Sequence, residues 1–156
     1  MKKAASKVKP YKINNAEAPT VAETIGQYQT MYSNPAALLS NSKKGLSAQV
    51  ALDFISVSGF TYDEFQDTFK TTVKTIQNYF VQDLKLDASL SEKLLKSFAL
   101  FKLGIEVFGS VDAFHKWLNT TAYGLGNQLP FTLMDTFTGL SLIEEELIRI
   151  AHGDLA

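Results

Sequence analysis

The chain has no cysteine. Disulfides and thiolate metal sites are therefore excluded, and a reducing, cytoplasmic setting is expected. Histidine is nearly absent: His115 and His152 are the only two. Neither stands in an HExxH arrangement or beside a carboxylate at ligand spacing, so metal catalysis is not expected. No apolar run reaches the roughly 20 residues that a membrane span needs, so no membrane association is expected. The opening MKKAASKVKP is basic, but no apolar segment follows it, and a secretory signal is not expected. Arginine occurs once, at Arg149.

A glycine-rich phosphate loop is also missing. Tyr123-Gly124-Leu125-Gly126-Asn127 has no strand pattern before it, and its glycines read as turn residues. Asp135 and the run Glu144 to Glu146 are carboxylates of the kind acid–base enzymes use. A surface position explains them better, and negative charge suits the start of a helix. No catalytic residue and no cofactor is assigned, and the chain is not expected to be an enzyme.

What is present is a core. With 156 residues and 46% hydrophobic content, the chain can bury one sizeable interior. The net charge of −1 hides an asymmetry. Residues 1–60 carry seven lysines against Glu17, Glu23 and Asp53, which is +4. Residues 110–156 carry Lys116 and Arg149 against six carboxylates, which is −4. Either the two ends meet different partners, or both are ordinary solvated surface.

The apolar spacing is helical almost throughout. Residues 1–20 lack periodicity, and Lys2, Lys3, Lys7, Lys9 and Lys12 repel one another, so a disordered arm is expected there. A weak helical stretch spans Val21 to Tyr32, followed by an Asn34-Pro35 turn, and the ordered domain is expected to begin near Gly45. Ser47 caps a helix carrying Val50, Ala51, Phe54, Ile55 and Val57, which Ser58-Gly59 ends. Thr61 with Glu64 forms a capping box for the next helix. Thr72 caps a further helix with Val73, Ile76, Tyr79 and Phe80 on its apolar side. Ser91 is expected to cap a long helix rich in Leu and Phe. No strand alternation stands out, so the class is all-α.

Thr61 to Phe80 reads as a short helix, a turn and a second amphipathic helix, which is the helix-turn-helix pattern. Gln77 and Asn78 suit adenine edges, and Lys70, Thr72 and Lys74 suit phosphates. These five are the candidate DNA-binding residues. A scaffold role stands equally beside that reading. The segment carries Asp63, Glu64, Asp67 and Asp83 against two lysines, and arginine, the usual guanine reader, is far away. The lysine arm is able to supply the missing charge.

The richest stretch is Phe108 to Gly153. Gly109 ends one helix, and Ser110 caps the next, which carries Val111, Phe114, Trp117 and Leu118 on one face. Trp117 suits core packing or a partner contact. Pro130 suits the first turn of a third helix, which Gly139 is expected to end. Ser141 with Glu144 reads as a capping box for a final helix with Leu142, Ile143, Leu147 and Ile150 inward, closed by Gly153.

In order, Gly109, Trp117-Leu118, Leu125-Gly126, Pro130, Leu133-Met134, Thr136, Gly139, Leu147, Arg149-Ile150 and His152-Gly153 resemble the C-terminal toxin-binding domain of the Xre/MbcA/ParS antitoxins. Phe69 to Phe80 resembles the recognition helix of the same family. The chain departs from the family pattern at Asn119-Thr120-Thr121, where a proline-asparagine turn is usual, and at Leu129, where a small capping hydroxyl is usual.

The resemblance implies a helical bundle with three parts. Residues 1–44 form a flexible basic arm and linker, 45–108 a helix-turn-helix region, and 109–156 a small toxin-binding domain. It implies a cytoplasmic antitoxin that blocks a RES-domain toxin, an enzyme class that consumes NAD. The toxin-binding residues expected on that basis are Glu145, Ile148, Arg149, His152, Gly153, Asp154, Leu155 and Ala156. Operator DNA is a second partner, and a homodimer is expected. The alternative is a helix-turn-helix repressor without a toxin partner.

Overall fold

The computed structural model describes residues 19–153, and among them the chain forms helices joined by turns and loops, with two isolated antiparallel bridges and no strand. The α-helices in chain order are α1 (Val21–Gln27), α2 (Gln29–Tyr32), α3 (Pro35–Lys44), α4 (Ala48–Ser58), α5 (Tyr62–Phe69), α6 (Val73–Val81), α7 (Ala88–Phe108), α8 (Val111–Leu118) and α9 (Phe137–Ala151). Two short 3-10 turns, Tyr123–Leu125 and Pro130–Leu133, separate α8 from α9. The expected all-α class is the observed one.

The 21-residue α7 is the axis of the molecule. Its Leu94, Leu95, Phe98 and Phe101 are fully buried, with α1 to α5 and α8 and α9 packed around it. Phe54 of α4 sits at the centre of an aromatic cluster. Its ring meets Phe60, Phe69, Phe98 and Phe101 edge-on, with centroids 5.2–5.4 Å apart. Edge-to-face geometry places positive ring edges on negative faces, and each such pair adds about 0.5–1.5 kcal/mol beyond area burial. One continuous core runs from Ile25 of α1 to Leu147 of α9.

Local chemistry sets most helix ends as expected. Ser47, Thr61, Thr72 and Ser110 each accept a backbone N–H as N-caps. Thr61 and Glu64 form the full capping box. Gly109, at φ +91°, ends α7 in the left-handed region that favours glycine.

Five expectations are corrected. Asp87, not Ser91, caps α7: its Oδ1 accepts from Leu90 N at 2.7 Å. Ser91 is buried one turn in and accepts Leu46 N at 3.0 Å instead. The Ser141–Glu144 box does not form, because α9 starts earlier, at Phe137, with Thr136 capping Gly139 N. Pro130 opens only a 3-10 turn, and Gly139 lies inside α9 rather than ending a helix. A Cβ at Gly139 would overlap the Leu133 carbonyl, so glycine here admits a close backbone approach. Leu142, expected inward, is 43% exposed, while Leu140, Ile143 and Leu147 fill the core.

Residues 21–44, expected to belong to a flexible arm and linker, form α1 to α3. Thr20 caps α1 through a complete capping box, and Asn34 caps α3. Ile25 and Tyr28 are buried, and the Tyr28 ring lies 4.9 Å from that of Phe98. The Tyr28 hydroxyl donates to Asp53 of α4. Burial, then the hydrogen bond to that carboxylate, raises the phenol above its ordinary value. The expected disordered arm, apart from residues 19 and 20, lies outside the described residues.

Candidate functional site

α9 gains its direction from the core it covers. Leu140, Ile143 and Leu147 face α7, so the opposite face must point to solvent. That face carries Leu142, Glu145, Ile148, Arg149 and His152, spaced at helical intervals. Glu145, Arg149 and His152 are exposed, and Ile148 is 42% exposed. Four of the expected toxin-binding residues therefore share one stripe, and Leu142 extends it. The N–H of His152 bonds to Ile148 O, and Gly153, at φ +74°, follows as the expected stop. Asp154, Leu155 and Ala156 lie outside the described residues.

Beside the stripe lies the loop from Ala122 to Gln128, closed by an antiparallel bridge between those two residues. Leu125 anchors it in the core, and Tyr123 projects outward, 78% exposed. The loop meets α9 at Gly124, which packs on Glu146 and accepts from Arg149. Glu146 is buried at 8% exposure, and Arg149 Nε donates to its Oε2 at 2.9 Å. Arg149 Nη2 also reaches Glu146 and the Gly124 carbonyl. A Cβ at Gly124 would overlap the Glu146 carboxylate, so only glycine lets the loop sit this close. The sequence places Glu146 in a surface run. The available signal was its spacing of three from the chain's one arginine, which puts the two side chains on one helix face.

The two departures from the family pattern are local. Asn119 ends α8 by donating its backbone N–H to His115 O and Lys116 O, and Thr120 Oγ1 donates to Lys116 O at 2.8 Å. Leu129 precedes the second 3-10 turn without a side-chain cap. Trp117 is partly buried, its ring 5.4 Å from Phe108, which is the core-packing role.

The second region is α5 and α6, joined by Lys70, Thr71 and Thr72. Val73 and Ile76 hold α6 to the core, leaving Lys74, Gln77 and Asn78 exposed on its outer side. Thr72 Oγ1 accepts Thr75 N, so its hydroxyl serves the cap. Lys70 Nζ lies 3.4 Å from Asp135 Oδ2 and is already paired. Phe80, expected on the apolar side of α6, is half exposed.

Two further contacts tie this region to the C-terminal part. Lys93 of α7 donates to Asp135 O at 2.8 Å and Thr68 O at 3.3 Å. Burial lowers its ammonium below the ordinary lysine value, Asp135 opposes that shift, and nearby Lys70 adds to it. His115 Nε2 of α8 meets Glu64 Oε2 of α5 at 2.9 Å. Burial alone would raise the Glu64 carboxyl, but hydrogen bonds from the Thr61 backbone and from His115 hold it below the usual range.

The geometry is an apolar and charged stripe on the outward face of α9, flanked by the loop from Ala122 to Gln128. Residues 103–153 match the model of the family described as the antitoxin Xre/MbcA/ParS C-terminal toxin-binding domain. The match covers the end of α7, α8, both 3-10 turns and α9. It supports an antitoxin role in a toxin–antitoxin system and a toxin as partner. Comparison with curated proteins finds no match. Among the described residues, no helix is long and apolar enough to cross a membrane.

Proposed function

We propose that the protein is a cytoplasmic antitoxin that binds and blocks a RES-type, NAD-consuming toxin, with the outward stripe of α9 and the residues after it as the contact. The observation that carries this reading is the coincidence of two facts. The segment similar to a toxin-binding domain ends on α9, and that helix leaves Ile148 and Leu142 in solvent among charged neighbours. Apolar side chains set within a polar rim are the usual anatomy of an interface. The module works by binding, and no catalytic group is assigned to it.

The same reading gives α5 and α6 a role at operator DNA, with Lys70, Thr72, Lys74, Gln77 and Asn78 as contacts in a homodimer. Phosphate attraction there is modest, because Asp63, Asp67 and Asp83 surround the lysines in sequence.

Co-expression tests the toxin reading. A chain ending at Ile150 keeps Ile143 and Leu147 in the core but lacks His152, Gly153 and the three C-terminal residues. It is expected to keep its helical circular dichroism and to lose growth rescue against a RES-type toxin. Full rescue by the folded truncation would remove His152 and the residues after it from the contact.

A further inference from the structure

The turn between α5 and α6, the loop before α7 and the first turns of α7 enclose a cleft of about 560 Å³. Three lysines from three elements line it: Lys70 from the turn, Lys85 from the loop and Lys93 from α7. Thr71, Thr75 and Ser89 add hydroxyls to the same walls. Lys74, Gln77 and Asn78 do not line it, so the cleft is separate from the outward face of α6.

The charge in this cleft is not balanced from within. Its lining carboxylate is Asp87, whose Oδ1 is engaged in capping Leu90 N. Asp135 does not line the cleft but contacts two of its lysines. Its carboxylate lies 3.4 Å from Lys70 Nζ, and its carbonyl accepts from Lys93 Nζ at 2.8 Å. Two ammonium groups therefore converge on one aspartate, with Lys85 in addition. Burial is the main cause of the lowered Lys93 pKa, and the nearby Lys70 ammonium adds to it. An anion entering the cleft would relieve the repulsion, and partial enclosure strengthens the attraction relative to open water. Lysine ammoniums are compact point charges that suit phosphate oxygens, and hydroxyls supply further donors.

We infer that this cleft is a binding site for a phosphate group, held by Lys70, Lys85 and Lys93. The site is independent of the toxin contact on α9. Its ligand chemistry is shared by a phosphodiester of nucleic acid and a free phosphate, and the test separates the two.

The test is an amide-resolved NMR titration of the full chain with potassium phosphate, against potassium chloride at equal ionic strength. Saturable shifts at Thr71 and Ser89 with phosphate but not chloride are expected. Lys85→Gln removes one cation from an exposed loop without touching a core contact. It is expected to weaken phosphate binding about threefold, the scale of one partly exposed ion pair. Asp135→Asn removes the competing carboxylate and is expected to tighten binding. Displacement of phosphate by duplex DNA identifies the backbone phosphodiester as the ligand, and retention of phosphate identifies a free phosphate group. Shifts that never saturate, that chloride reproduces, or that neither variant alters would overturn the inference.

Discussion

Arg149 Nε lies 2.9 Å from the Oε2 of Glu146, one turn earlier on α9, and Glu146 is buried beneath Gly124. The arginine of the exposed stripe is therefore held from below, with its guanidinium pinned against the Tyr123 loop. Such a held side chain loses little conformational freedom when a partner docks, and that pre-organisation favours affinity.

Removing the clamp tests this arrangement. Glu146→Gln keeps the shape but removes the charge that orders Arg149, and it is expected to cost about 1 kcal/mol, the lower end for a charge-assisted bond whose cation is partly solvated. Gly124→Ala forces a methyl group into the carboxylate and is expected to loosen the loop more strongly. Urea denaturation reads the stability, and amide exchange across residues 122–128 reads the loop. Unchanged exchange in both variants would mean that the loop is held without Glu146, by buried Leu125 and the Ala122–Gln128 bridge.

Glu64 and His115 make an acid-sensitive link between α5 and α8. The folded Glu64 carboxyl lies below its ordinary value, so folding favours its ionised form. That stability is fully present above the ordinary carboxylate range and is lost as pH falls through the lowered folded value. Glu64→Gln removes the ionisation and is expected to flatten the acid limb of a plot of Tm against pH between about 6 and 3. An acid limb identical to that of the unaltered chain would assign acid unfolding to other groups.

The α1 to α3 segment is part of the core, so its removal carries a cost. A chain starting at Gly45 exposes the surfaces that Ile25 and Tyr28 cover on α7. Compared with a chain starting at Pro19, it is expected to lose at least about 3 kcal/mol, since each large buried side chain is worth about 1.5–3. Guanidinium unfolding of the two chains measures the difference. Equal midpoints would return these residues to the role of a linker.

What the sequence made legible was local. Thr61 with Glu64, Thr72, Ser110 and Gly109 act on residues three or four positions away, and short patterns capture such contacts. Ser91 misled because its hydroxyl serves Leu46, 45 residues distant, while Asp87 takes the cap four residues earlier. Ser141 and Glu144 have capping-box spacing by coincidence, inside a helix already started at Thr136. Gly139 looked like a terminator because a glycine required by close packing against Leu133 has no distinguishing mark in sequence. The stripe of Glu145, Ile148, Arg149 and His152 was legible from helical spacing together with family resemblance. The burial of Glu146 was not, since it depends on a loop that folds back from Gly124.

The central claim is that the outward face of α9 binds a toxin, and Ile148→Asp tests it most directly. The substitution puts a charge at the middle of the stripe while leaving Ile143 and Leu147 in the core, so the fold is expected to survive by circular dichroism. Calorimetric titration against a catalytically inactive RES-type toxin is the measurement. The account predicts at least a tenfold weaker affinity, about 1.4 kcal/mol, for the variant. Equal affinity of the folded variant and the unaltered protein would contradict it.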